Sequence, residues 1–306
     1  MKNTFPGGVW PVMLTPFTAD NRVDYKALGS LIDWYIGNGV SGLFADCQSS
    51  EMFFLSLEER VEIARFVKQY AAGRVPVIAS GHISDAREDQ IRELNAIAAT
   101  GVDAVILLTN RMAKQEESDE VWLKNLQILM DSLPADKPLG FYECPYPYKR
   151  VLSRAVTKWC AESGRFFFLK DTSCDLHSIA DKLEVCRGTN LRLYNANTAT
   201  LLESLDMGAA GYSGVLANMQ ASLYAKLTSG TMTPQLRREL ADDLSICCLI
   251  ERQVYPVNAK YYLSALEGLP MTTVCRTRSN AELNETAQME VRMLGRVTER
   301  MKKKYL

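Results

Sequence analysis

Eight apolar segments, each followed by a stretch of helical period, fill most of this 306-residue chain and limit the folds open to it. The apolar segments are Val9–Thr15, Gly42–Asp46, Pro76–Gly81, Ala104–Thr109, Leu139–Glu143, Phe166–Thr172, Leu191–Asn197 and Gly211–Leu216. Helical patterns run between them over 24–38, 56–72, 84–100, 117–132, 153–164, 175–187, 198–207 and 218–229. Strands separated by crossover helices pair in parallel, and eight such units suit a closed (β/α)8 TIM barrel, typically ~250 residues long. An open doubly wound sheet would usually carry a glycine-rich phosphate turn after its first strand. Here that turn reads Leu14-Thr15-Pro16-Phe17. Residues 1–230 are therefore expected to form the barrel. Residues 231–306, with helical stretches Pro234–Arg252 and Asn280–Lys304, are expected to form a helical extension that covers it or builds a subunit contact.

Composition narrows the function. Hydrophobic residues make up 47% and charged residues 23%, with a formal net charge of −1. That balance supplies a large core and no basic tract for nucleic acid or an anionic membrane surface. No apolar run is long enough to span a bilayer, and the start through Gly8 lacks the apolar core of a signal peptide, so a cytoplasmic location is expected. Eight cysteines without a C-x-x-C pair read as reduced thiols. Only two histidines occur, His82 and His177, neither in a hydrolase or metalloprotease motif. Both read as structural or exposed residues. Acid–base chemistry is left to Lys, Tyr, Asp or Glu.

The segment Phe166-Phe167-Phe168-Leu169-Lys170-Asp171-Thr172 then stands out. Alternation places Phe166, Phe168 and Lys170 on one face and Asp171 on the other. A lysine at the end of so apolar a strand either snorkels to water, is neutralised by Asp171, or loses its proton and becomes a nucleophile. In a barrel the active site lies at the carboxyl ends of the strands. Those ends supply Thr15, Asp46 to Glu51, Gly81-His82, Thr109-Asn110-Arg111, Tyr142-Glu143, Lys170-Asp171, Asn195 to Asn197 and Ser213-Gly214. A lysine, a tyrosine one strand away and a ring of polar groups are the parts of a Schiff-base enzyme.

In this order the strand ends resemble the dihydrodipicolinate synthase/N-acetylneuraminate lyase family of pyruvate-handling class I aldolases. The carriers are Thr15-Pro16-Phe17, the loop Cys47-Gln48-Ser49-Ser50-Glu51, Leu55 to Arg60, Tyr142-Glu143-Cys144-Pro145, Phe168 to Ser173 and Gly208 to Gly214. The resemblance implies a lyase that needs no cofactor and no metal. Lys170 would form an imine with a 2-oxo acid and Tyr142 would shuttle protons. Ser49 with the 48–51 loop would hold the carboxylate. Gln48, Ser50, Glu143, Arg111, Asn197 and Ser213 are further candidate substrate-binding residues, with Tyr146 beside them. A homo-oligomer, tetramer or dimer, is also implied.

Departures from the family pattern are concentrated around the acceptor. Both loop glycines are replaced, and Gln48 stands where a hydroxyl residue is usual; an amide cannot relay a proton as a hydroxyl does. The segment Leu108 to Lys114 lacks the synthases' tyrosine pair, and Tyr146-Pro147-Tyr148 stands where they place an arginine for the aldehyde's carboxylate. Synthase activity itself is therefore not expected. The alternatives are a hydro-lyase of a 2-oxo-3-deoxy sugar acid, a 2-oxo-acid-binding homologue without turnover, and a divalent-metal barrel using Asp46, Glu143 and Asp171.

Overall fold

The computed structural model describes residues 5–306; the first four residues of the chain start lie outside the described residues. Its centre is an eight-stranded parallel sheet: β1 (Gly8–Val9), β2 (Leu43–Phe44), β3 (Val77–Ser80), β4 (Ala104–Leu108), β5 (Leu139–Tyr142), β6 (Phe166–Asp171), β7 (Arg192–Asn195) and β8 (Gly211–Tyr212). Neighbours follow chain order from β2 to β8, and β1 pairs with β8. A parallel bridge between Val12 and Phe44 closes the circle, so the sheet is a (β/α)8 barrel. The first strand is shorter than its apolar run because Pro11 has no N–H for the ladder. Chain beyond it still pairs, Trp10 N–H with the Tyr212 carbonyl and Met13 N–H with that of Phe44. Gly211 sits on the β1–β8 seam, where a Cβ would lie 1.8 Å from the Gly8 carbonyl oxygen.

Helices α1 (Tyr25–Gly37), α2 (Leu57–Ala71), α3 (Arg87–Ala98), α4 (Asp119–Asp131), α5 (Arg154–Glu162), α6 (Leu176–Cys186), α7 (Leu201–Asp206) and α8 (Ala217–Thr228) follow the strands. Many start where a polar residue can take an orphan backbone N–H: Asp24, Ser56, Ser118, Ser153 and Asp175 all accept from their own helix's first turn. Helices α9 (Pro234–Cys247), α10 (Val257–Ala265) and α11 (Glu285–Tyr305) pack against α8. Helix α9 stops five residues before the expected Arg252, and residues 248–252 tighten into a 3₁₀ turn.

Two apolar layers result. One lies between strands and helices; the other fills the barrel with Trp10, Val12, Phe44, Ile78, Ile106, Phe168 and Tyr194. The expected grouping of Phe166 with Lys170 does not occur. Leu139 pairs with Phe166 but Gly140 pairs with Phe168, so Phe167 is an extra residue that flips the strand by one position. Phe166 therefore packs outward on Phe141, with ring centroids 4.3 Å apart. Phe168 points inward with Lys170 and stacks on Tyr194 at 4.3 Å.

Candidate active site

A cavity of about 450 Å³ opens at the carboxyl ends of the strands, lined by Gln48, Ser49, Tyr142, Lys170, Glu251 and Tyr255 among others. Lys170 is 5% exposed. Its Nζ lies 4.2 Å from the centroid of the Tyr142 ring and 6.0 Å from that of Phe44. Neither an ion pair nor a protein hydrogen bond holds this amine among the described residues. Burial therefore dominates and lowers its pKa to about 8, against small opposing effects from Cys47, Cys144 and Glu251. Some free amine is then present at neutral pH, which an ordinary lysine lacks.

Burial works the other way on the acids around it. Tyr142 is pushed well above its ordinary value by burial and then by the neighbouring thiols. Its hydroxyl donates to Gln48 Oε1 at 3.4 Å. Cys144 is pushed up to about 11, and Cys47 is raised as well. The Ser49 hydroxyl faces the Tyr255 phenol, which accepts from Asn218 Nδ2 at 2.9 Å; Asn218 in turn accepts from Tyr35. Tyr255, Glu251, Thr277 and Arg278 come from the C-terminal segment, and none was legible as a site residue. One anchor explains their arrival. Glu51 adopts a left-handed backbone (φ 63°) where glycine is the usual solution. Its carboxylate takes Lys260 Nζ at 2.8 Å and the backbone N–H groups of Arg276 and Thr277 at 2.6 and 2.8 Å.

The structure thus brings Lys170, Tyr142, Gln48 and Ser49 together and directs other candidates elsewhere. Ser50 is buried under the loop, donating to the Met13 carbonyl at 2.7 Å and accepting from Cys47 N–H. Glu143 follows an inward Tyr142 and so faces outward, where it binds Lys182 at 2.6 Å and the backbone N–H groups of Leu152 and Thr172. It therefore does not line the cavity with the other candidates. Arg111 pairs instead with Asp85 and covers the Phe53 ring at 5.8 Å. Asn197 Oδ1 accepts from Thr200 N–H at 3.1 Å in the turn that leads into α7. Ser213 is buried outside the cavity lining, its N–H bonded to the Asn195 carbonyl. Tyr146 is 55% exposed and meets the Phe53 ring edge-on, with centroids 4.9 Å apart.

Asp171 also faces outward, 2.5 Å from Lys182 Nζ. The metal-barrel alternative fails on this geometry, because Glu143 and Asp171 are neutralised by a lysine on the far side of the wall from the cavity. His82 is structural: Nε2 accepts from Leu108 N–H at 2.8 Å and Nδ1 meets Gln90 Oε1 at 3.1 Å. Burial lowers its pKa to about 4, so it stays neutral. His177 is exposed at the start of α6. No described helix is long and apolar enough to cross a membrane.

Comparison with known proteins gives the family and the fold. A 4-hydroxy-tetrahydrodipicolinate synthase of Lachnoclostridium phytofermentans is 25% identical over 264 residues, covering 85% of this chain and 87% of that one. The Roseobacter denitrificans synthase is 27% identical over 256 residues, covering 84% and 83%. Among solved structures, a dihydrodipicolinate synthase from Bacillus anthracis superposes with a TM-score of 0.83 at 21% identity, covering 95% of this chain and 97% of that chain. A prophage protein of the same family from E. coli K12, solved in complex with pyruvate, gives 0.82 at 22% identity, covering 97% and 98%. The model of the dihydrodipicolinate synthetase family matches residues 5–294, and the chain belongs to that family.

Proposed function

We propose that the protein is a Schiff-base lyase that makes or breaks a carbon–carbon bond next to a 2-oxo acid of the pyruvate type. The supporting observation is Lys170, a buried amine that meets no carboxylate and whose pKa falls to about 8 at the floor of a cavity. The free amine attacks the C2 carbonyl, and the carbinolamine loses water as Tyr142 donates a proton to the departing oxygen. Ser49 and its loop hold the carboxylate. Tyr142, left as a phenolate, then takes the proton of the C4 hydroxyl; the O–H pair becomes the aldehyde C=O, the C3–C4 pair becomes the C2=C3 bond of an enamine, and the C2=N π pair returns to nitrogen. Addition of the enamine to an aldehyde is the reverse. The cavity lining includes Thr277 and Arg278 of the C-terminal segment, and the chain lacks the synthases' tyrosine pair and the arginine that grips the aldehyde's carboxylate, so we infer an acceptor different from that of the synthases.

Borohydride reduction with pyruvate, read by intact and peptide mass, tests the reading. A reduced pyruvyl adduct on Lys170, lost in Lys170→Ala, is expected. An adduct that persists in that variant, or none in the folded wild type, overturns it.

A further inference from the structure

Ser49 differs from the other hydroxyl residues near Lys170 in what its hydrogen has left to bind. Ser50 uses its hydroxyl inside the loop, on the Met13 carbonyl and the Cys47 N–H. Thr277 gives its hydroxyl to Glu51, and Thr172 gives its own to the Glu143 carbonyl. The Ser49 hydroxyl, at the cavity wall, meets only the Tyr255 phenol among the described residues. Which of these two oxygens donates is decided farther back, by Asn218 on α8. One end of that buried amide faces the Val12 carbonyl at 3.0 Å, which can only accept, so that end is Nδ2. The same Nδ2 donates to the Tyr255 oxygen at 2.9 Å, and the Oδ1 end accepts from Tyr35. A phenol, with an ordinary pKa of ~10, keeps its proton at neutral pH. The single hydrogen of Tyr255 has no other acceptor than Ser49 among the described residues. Ser49 therefore receives one hydrogen, and its own is left to point into the cavity.

We propose that Tyr255 is a positioning residue for the 2-oxo acid: through the chain Tyr35–Asn218–Tyr255–Ser49 it commits the Ser49 hydroxyl to donate to the acid's carboxylate. This rests on the imine reading above and adds to it a residue of the C-terminal segment. Tyr35 and Asn218 are fully buried, so water does not compete for the direction of the chain. Without the Tyr255 hydroxyl, Ser49 can turn its hydrogen either way, and the donor orientation has to be selected as the carboxylate arrives. With it, the donor faces the ligand before binding. Tyr255 acts through Ser49 and takes no part in moving protons at the reacting carbons.

The test is a double-mutant cycle on the full chain with pyruvate as the ligand. Calorimetry reads the dissociation constant, and borohydride trapping with mass spectrometry reads the Lys170 adduct at saturating pyruvate. Ser49→Ala is expected to weaken binding about tenfold, and Tyr255→Phe, which keeps the ring, about fivefold. The double variant is expected to bind no more weakly than Ser49→Ala alone, because Tyr255 has no hydroxyl left to direct. All three variants trap the full adduct at saturation, since the amine is untouched. Wild-type affinity in Tyr255→Phe, or losses that multiply to about fiftyfold in the double variant, overturns the positioning role and leaves the imine standing. Wild-type affinity in Ser49→Ala does the same. Absence of the adduct in the wild type overturns the imine reading and this one with it.

Discussion

Lys170 and Lys182 stand on opposite sides of the same stretch of barrel wall, equally hidden from water, and the environment gives them opposite characters. Lys182, on α6, has a fully buried side chain between Glu143 at 2.6 Å and Asp171 at 2.5 Å. Burial alone would lower its pKa, but the two carboxylates outweigh it and hold the ammonium above its ordinary value. Lys170, on β6, has aromatic faces where Lys182 has carboxylates, and burial takes it down to about 8. Burial therefore does not by itself make a lysine reactive; the missing counter-charge does. Strand alternation supplies the separation, since Tyr142 and Lys170 turn inward while Glu143 and Asp171 turn out. The outer cluster takes up the neighbouring carboxylates, which would otherwise stabilise the inner lysine's ammonium form.

The largest effect expected from this contrast is on stability. Lys182→Met leaves two buried carboxylates uncompensated and costs about 3–5 kcal/mol, read as a lower denaturant midpoint. Adding Glu143→Gln and Asp171→Asn recovers most of it. A single variant as stable as wild type would break the comparison at its outer half. Lys170→Met should go the other way, because its ammonium is buried without compensation. The folded value of about 8 lies below the ordinary 10.5, so the unfolded chain binds the extra proton between those values and wild-type stability rises with pH there. The variant is expected to be more stable by about 3 kcal/mol below pH 8, with the gain fading to nothing by pH 10.5. Denaturant titrations at pH 7 and pH 10 measure both sign and window. A pH-independent difference would mean that packing, not charge, sets it.

The inner half of this arrangement was legible in the chain because strand alternation and strand ends are local properties. Lys170 and Tyr142 follow from one apolar run and its neighbour. The same rule already separates Glu143 from Tyr142, and its assignment to the cavity failed by setting alternation aside in favour of sequence proximity. Phe166 failed for a different reason: an inserted residue at Phe167 shifts the register, and no local propensity announces it among consecutive phenylalanines. Glu251, Tyr255 and Arg278 reach the cavity through contacts such as Glu51 with Lys260, between residues 209 positions apart. Periodicity carries no information over that distance. The 3₁₀ turn that aims Glu251 was hidden inside a pattern that read as helix to Arg252.

Catalytic effects sharpen the inner half further. Tyr142→Phe keeps the ring over Lys170 and removes only the hydroxyl. Turnover is expected to drop about 10²-fold with little change in pyruvate affinity, measured as kcat against KM once an acceptor is in hand. A loss of affinity with unchanged kcat would make the hydroxyl a binding group and leave the ring's contact with the amine as its main contribution.

The smallest effect is also the most direct reading of the contrast between the two lysines. With a pKa of about 8, roughly a tenth of Lys170 is free amine at pH 7. The initial rate of imine formation, followed by rapid-quench borohydride trapping with pyruvate, should therefore climb about tenfold from pH 7 to a plateau above pH 8. Lys182 stays charged across that range and gains no adduct. A rate still rising steeply at pH 10 would place Lys170 with ordinary lysines, and the aromatic wall would then have no hold on its proton.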